Sequence, residues 1–267
     1  MSNISKEIFK FPKNKCSIIP FISAGIPSLR DTKHVLENLD KYQFPLIELG
    51  FPYSDPLADG NIIQKASQIA IYNNGITIDS IFKILFNINN KINTPIVAFI
   101  YYNQLVTYGI KKFIEKLSSR GINGLLVPDL PCEEQFILMN LCKLNNIHLI
   151  LLITPTSSLD RIKYLCSKAQ GFIYLVSRLG VTGFDKNNVI DNASLKILIK
   201  QIRFFTNIPI AIGFGISNTD QIIQIKNLGV EGLIIGSACM NILMNNSNTD
   251  FIELLSKFLN SLKINLE

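Results

Sequence analysis

Histidine is nearly missing from this sequence: His34 and His148 are the only two, so a metal site built from several imidazoles cannot be assembled. Cysteine is scarce and odd in number. Cys16, Cys132, Cys142, Cys166 and Cys239 form no Cys-x-x-Cys pair and show no zinc-ligand spacing. No uninterrupted apolar run reaches the roughly 18 residues of a membrane helix. Met1–Phe9 holds Lys6 and Glu7 where a secretory leader would carry its apolar stretch, so no leader is expected there. The net charge is +6, yet lysines such as Lys111, Lys112 and Lys116 are scattered, and no basic arm offers itself to nucleic acid. These absences lead to the expectation of a soluble, cytoplasmic protein in a reducing compartment, with neither membrane nor nucleic acid as partner.

What is present is apolar and periodic. With 267 residues and 48% hydrophobic composition, the chain can bury a large core, which excludes disorder and disulfide miniproteins. Eight short runs rich in Ile, Val, Leu and Phe recur: Cys16–Ala24, Pro45–Phe51, Pro95–Tyr102, Gly124–Asp129, His148–Thr154, Phe172–Arg178, Pro209–Gly215 and Gly232–Gly236. They are continuous rather than alternating, as strands covered on both faces are. Helical patterns lie between them, with Ser28, Ser158 and Ser217 as N-caps and Gly229 as a C-cap. Strand–helix repeated eight times predicts an α/β fold, a (β/α)8 TIM barrel with extra helices, as a single domain over 1–267. A doubly wound open sheet is the alternative. Pro52–Thr94 is long enough for two helices, near Gln64–Tyr72 and over Ile78–Asn90, and Leu179–Ile208 opens on a glycine-flanked segment suited to a lid.

Inside the eight runs the one ionisable group of note is Glu48, between Ile47 and Leu49. A carboxyl group in a buried strand loses its hydration, which raises its pKa and makes it a proton donor and acceptor near neutrality. Pairing with Arg178 is the structural alternative. The loop after that strand, Pro52–Gly60, contains Asp55 and Asp59, two prolines and a glycine, and is built to hold one shape. One acid could cap the next helix, but only one position can do so; the other is then expected to face the site, near Glu48. Gly213-Phe214-Gly215 and Gly236-Ser237 fall at the ends of runs seven and eight, where a barrel commonly binds phosphate, with Ala238–Met244 as the extra short helix. Glycines that merely end strands are the alternative there. No lysine lies in any run, so a Schiff-base nucleophile has no obvious source. Two carboxylates acting on a phosphorylated small molecule remain. Phe21, Phe99, Tyr101, Tyr102 and Tyr174 are placed to line a pocket for a flat group, or to be ordinary packing.

The segment Ile47-Glu48-Leu49-Gly50-Phe51-Pro52-Tyr53-Ser54-Asp55-Pro56-Leu57-Ala58-Asp59-Gly60 resembles the signature of the tryptophan synthase alpha chain family. Supporting segments follow in family order: Pro20–Gly25, Tyr101–Asn103, Val127–Pro131, Ser177–Gly183 and Gly213–Ser217. The resemblance implies a lyase that cleaves indole-3-glycerol phosphate to indole and glyceraldehyde 3-phosphate. It implies Glu48 as the proton shuttle and Asp59 as the acceptor of the indole N–H, with metal playing no part. Phe21, Tyr101 and Tyr174 would surround the substrate. Gly183, Gly213, Gly215, Gly236 and Ser237 would hold the phosphate, and Thr182 would meet Asp59 when the lid closes.

The same resemblance implies an α2β2 assembly. A beta chain carries the pyridoxal phosphate and receives indole through a channel, while this chain needs no cofactor. The loops Pro52–Gly60 and Leu179–Asn188 would meet that partner. Three positions depart from the family pattern: Ile26 where an acid is common, Asn61 where proline is usual, and Leu179 where serine is frequent. A sugar-phosphate isomerase or epimerase on the same barrel would leave the signature unexplained. A non-catalytic activator of the partner has Glu48 and Asp59 against it.

Overall fold

Eight parallel strands meet edge to edge in chain order, and the first pairs with the last. The computed structural model describes residues 16–42, 44–88, 91–130, 135–177, 192–213, 225, 227–246 and 251–264. Its strands are β1 (Ser17–Ser23), β2 (Ile47–Gly50), β3 (Ile96–Phe99), β4 (Gly124–Leu126), β5 (His148–Ile153), β6 (Ile173–Val176), β7 (Ile210–Gly213) and β8 (Gly232–Ile235). Each falls inside the run expected for it. Nearly every strand residue is buried, because helices cover the outer face and side chains fill the inner one. Closure leaves no sheet edge, so the open-sheet alternative is excluded.

The helices are α1 (Leu29–Lys41), α2 (Asn61–Gln68), α3 (Ile78–Ile88), α4 (Tyr102–Tyr108), α5 (Ile110–Ser119), α6 (Phe136–Leu144), α7 (Leu159–Lys168), α8 (Asn192–Phe205), α9 (Ser237–Asn245) and α10 (Phe251–Ile264). Ser28 caps α1 by accepting the Asp31 N–H at 3.2 Å, and Ser158 caps α7 by accepting that of Arg161 at 3.3 Å. Val35, Leu36 and Leu39 form the buried face of α1. The two helices expected in 52–94 are both there, and α2 runs on into a wider turn over Ile69–Asn73. The expected short helix after β8 is α9. The helix predicted from Ser217 lies outside the described residues apart from its end, where Gly229 has φ +80°.

At the N-terminal end of the barrel, Arg203 on α8 forks onto both carboxylate oxygens of Glu231 and donates to the Ile208 carbonyl at 2.7 Å. Glu231 also accepts the Ile210 N–H at 2.7 Å. This half-buried network ties α8 to the starts of β7 and β8, on the face that serves stability. Among the described residues, no helix is long and apolar enough to cross a membrane.

Candidate active site

Phe21 and Glu48 are register partners on β1 and β2, near the C-terminal end of the ring. Glu48 is 1% exposed, and among the described residues neither of its carboxylate oxygens has a hydrogen-bond partner. The hydroxyl of Tyr174, four strands away on β6, has its pKa raised well above the ordinary tyrosine value by burial and then by Glu48 and Asp59. The negative charge of Glu48 is thus felt across the ring. Burial, and then the negative charge of Asp59, push the Glu48 carboxyl up to about 8. A group with that value holds its proton at neutral pH and gives it up readily. Arg178, the alternative partner considered for Glu48, lies outside the described residues.

Of the two acids in the loop after β2, the structure selects Asp59. Asp55 is exposed, whereas Asp59 is 9% exposed. Neither caps α2: Gly60 is the N-cap, with no side-chain hydrogen bond. The alternative that one of these acids caps the helix is thus excluded. The loop turns back on itself through the Asp59 N–H to the Pro56 carbonyl at 3.0 Å, and Gln64 Nε2 holds the Asp59 carbonyl at 2.9 Å. A cap at residue 59 is therefore unnecessary, and its carboxyl group is left free to turn inward. Burial pushes it up to about 7, opposed by a hydrogen bond from the Tyr101 hydroxyl.

A row of rings forms one wall. Phe21 meets Phe99 edge to face at 5.6 Å, Phe99 meets Tyr101 at 6.0 Å, and Tyr101 stacks on Tyr53 at 5.0 Å. Glycines make the room. A Cβ at position 50 would stand 2.6 Å from Phe21 Cζ, and one at 213 would stand 2.6 Å from Tyr174 Cζ and closer still to its hydroxyl. The strand-end glycines at 50 and 213 therefore clear space for inward-pointing aromatic rings. Position 236 differs: a Cβ there meets Phe21 at ordinary distances, Cδ1 at 3.5 Å and Cβ and Cγ at 3.6 Å. Gly236 is the N-cap of α9, which opens with Ser237 and has no side-chain cap. Its first-turn N–H groups are thus the sort that bind an anion.

The structure therefore brings Phe21, Glu48, Asp59, Tyr101, Tyr174, Gly213, Gly236 and Ser237 to the C-terminal ends of the strands. Thr182, Gly183, Gly215 and Leu179 lie outside the described residues. Tyr102, grouped with the pocket aromatics, instead starts α4 and is half-buried; its N–H donates to Asp129 Oδ1 at 2.8 Å. Sequence reasoning missed the clamp on the loop. Gln104 Nε2 holds the Pro52 carbonyl at 2.7 Å and Asn103 Nδ2 the Tyr53 hydroxyl at 3.0 Å. No local signal links positions so far apart in the chain. Among the described residues no cluster of three His, Cys, Asp or Glu side chains could hold a metal ion.

The family model described as "Tryptophan synthase alpha chain" matches residues 10–263. A tryptophan synthase alpha chain from Cyanidium caldarium is 44% identical over 263 residues, covering 98% of this chain and 97% of that protein. One from Pyropia yezoensis is 44% identical over 256 residues, covering 96% of each. The solved tryptophan synthase A-subunit of Pyrococcus furiosus superposes with a TM-score of 0.83 at 29% identity, covering 93% of this chain and 98% of that one. A Mycobacterium tuberculosis tryptophan synthase structure, at 22% identity and a TM-score of 0.85, covers 99% of this chain and 98% of its own and shares the fold.

Proposed function

This chain belongs to the tryptophan synthase alpha chain family, and from that premise we propose how its own residues carry the reaction. The protein is a lyase of tryptophan biosynthesis that cleaves indole-3-glycerol phosphate. The observation that carries the assignment of roles is the pair of buried acids, Glu48 in β2 and Asp59 in the loop that follows it.

Glu48 begins protonated and delivers its proton to the indole C3. The ring nitrogen becomes electron-poor, and its N–H is held by the ionised Asp59, which places negative charge where positive charge develops. The Glu48 carboxylate then takes the proton of the hydroxyl on the side-chain carbon attached to C3. The electrons of that O–H bond form the aldehyde C=O, the carbon–carbon bond breaks, and its electrons return to the ring. Indole and glyceraldehyde 3-phosphate leave, and Glu48 is again protonated, so protons balance. The phosphate lies at Gly213, Gly236 and Ser237, with Gly183 and Gly215 completing the set by family resemblance. Phe21, Tyr101 and Tyr174 enclose the indole, Thr182 meets Asp59 on closure, and no cofactor or metal enters on this chain.

An alpha chain of this family pairs with a beta chain. The α2β2 form, the indole channel and a pyridoxal phosphate confined to the beta chain complete the reading. Exposed Ser54, Asp55 and Leu57 on the loop after β2 support a partner surface there. A cytoplasmic location belongs to the same reading, and the closed ring supports one domain over 1–267. The deciding experiment is indole release from indole-3-glycerol phosphate by wild type and Glu48→Gln, with and without beta chain. Wild-type turnover by the variant would refute the shuttle, and indifference to the beta chain would refute the coupling.

A further inference from the structure

We propose that Met240 is a positioning residue for this reaction: its thioether sulfur accepts the buried N–H of Ser23 and fixes the start of α9 against β1. The proposal rests on the reading of that helix start, with Gly236 and Ser237, as the phosphate site. The strand ladder explains why this N–H needs a partner. Donors alternate along a strand, so the N–H groups of Ser17 and Ser23 in β1 point to the same side. That of Ser17 donates to the Glu231 carbonyl at 2.9 Å, on the side of β8, whereas the Ala24 N–H donates to the Gly50 carbonyl of β2. The last register pair of β1 with β8 is Pro20 with Ile235. There the chain leaves the ladder at Gly236 to begin α9, while β1 runs on through Phe21, Ile22 and Ser23. Ser23 is 1% exposed, so its N–H cannot turn to water. It donates instead to Met240 Sδ at 3.2 Å.

Met240 is thereby used twice. Its own N–H closes the first turn of α9 on the Gly236 carbonyl at 2.9 Å, and its side chain ties that turn to β1. The residue is fully buried, on the same helix face as Cys239 and Leu243. Leucine would fill such a place as well, but would leave the Ser23 N–H without an acceptor. Apolar packing has no direction, whereas the N–H···S bond sets how far along β1 the helix sits.

That setting matters because β1 meets both ends of the substrate. Phe21, two residues before Ser23, is the register partner of Glu48. The same Phe21 lies against position 236, where a Cβ would stand 3.5 Å from its Cδ1. The phosphate anchor and the wall of the indole pocket are therefore neighbours across one seam, and the bond to sulfur is a directional tie across it. Sliding the anchor would draw the substrate away from the Glu48 carboxyl, and small misplacements of this kind are costly.

The test is Met240→Leu, read by calorimetric titration and by indole release. Losing the hydrogen bond that sets the anchor should raise the Kd for glycerol phosphate about five-fold, and kcat/KM should fall by at least that factor. Affinity for indole, which carries no phosphate, should stay within about two-fold of wild type. An undiminished glycerol phosphate affinity overturns the proposal. So does an equal loss for indole, which would mean a general loosening of the pocket. Should Met240→Leu give no cooperative melt, norleucine in place of Met240 keeps the shape and removes the sulfur, with the same result expected. Selenomethionine there keeps an acceptor and should bind glycerol phosphate as wild type does; a loss as large as that of norleucine overturns the acceptor role. Gly236→Ala separates the proposal from its premise. If that variant binds glycerol phosphate as wild type does, the phosphate reading fails and the proposal with it. If it loses affinity and Met240→Leu does not, the role of Met240 alone is refuted.

Discussion

The Tyr174 ring on β6 occupies the space that any side chain at Gly213 on β7 would need. The two are neighbours in the ladder, with Val176 opposite Gly213 and Tyr174 opposite Ala211, so the tyrosine leans along its strand into the glycine gap. Gly213→Ala should therefore overpack the site and destabilise the fold by about 1–3 kcal/mol. Because Tyr174 Cζ itself is only 2.6 Å away, Tyr174→Phe should relieve the clash in part, not fully. Urea midpoints of the two single variants and the double variant check this; full additivity would contradict it.

Gly236→Ala should behave differently. Its Cβ meets no atom closer than 3.5 Å, so the melting temperature should hold. The cost should fall on the anion that α9 receives: glycerol phosphate affinity should drop by about ten-fold or more, read by calorimetric titration. A stable variant with undiminished affinity would remove the helix start from the phosphate site.

The two acids predict a narrow pH optimum. The active form has Asp59 ionised and Glu48 protonated. Asp59 sits at about 7 and Glu48 at about 8, so kcat/KM for indole release should rise as the pH passes about 7 and fall beyond about 8. Both limbs belong to the pair as a unit. A flat profile between pH 6 and 9 would be incompatible with these roles.

Burying Glu48 has a price in stability, and its sign can be worked out. The folded-state value of about 8 lies above the ordinary 4.5, so the neutral acid is favoured in the fold. Stability is therefore highest below the unfolded value and is lost as the pH rises through 4.5 to 8. Glu48→Gln should remove that loss. It should melt several degrees above wild type at pH 9 and close to it at pH 5, while indole release falls by roughly a hundred-fold or more. Scanning calorimetry at the two pH values checks the first part; a gain of equal size at both would mean that charge burial is not the cause.

Glu231→Gln tests the opposite end of the barrel. Losing the charge that Arg203 grips should cost about 1–3 kcal/mol of stability, with kcat and KM at wild-type values wherever the variant is folded. A change in kcat would show that this network reaches the catalytic end.

Much of the fold was legible because burial writes itself locally. Runs such as Ile96–Ile100 and Leu149–Ile153 are apolar at every position, as strands covered on both faces are. Glu48 stood out for the same reason, as a charge in a run that tolerates none. Asp59 was harder. Residues 55 and 59 are chemically alike in the sequence, and the turn of the loop, with Gly60 as the cap of α2, decides which one is buried.

The sequence by itself determined the strand–helix alternation, the family and Glu48 as the charge inside an apolar run, since each is written in the local pattern of the chain. Only the tertiary structure decided that Tyr101 grips the loop at Ala58, forty-three positions away, and that Tyr174 fills the gap at Gly213. Those contacts exist because ring closure carries the ends of distant strands to one rim, and no periodicity in the chain encodes which side chains then touch.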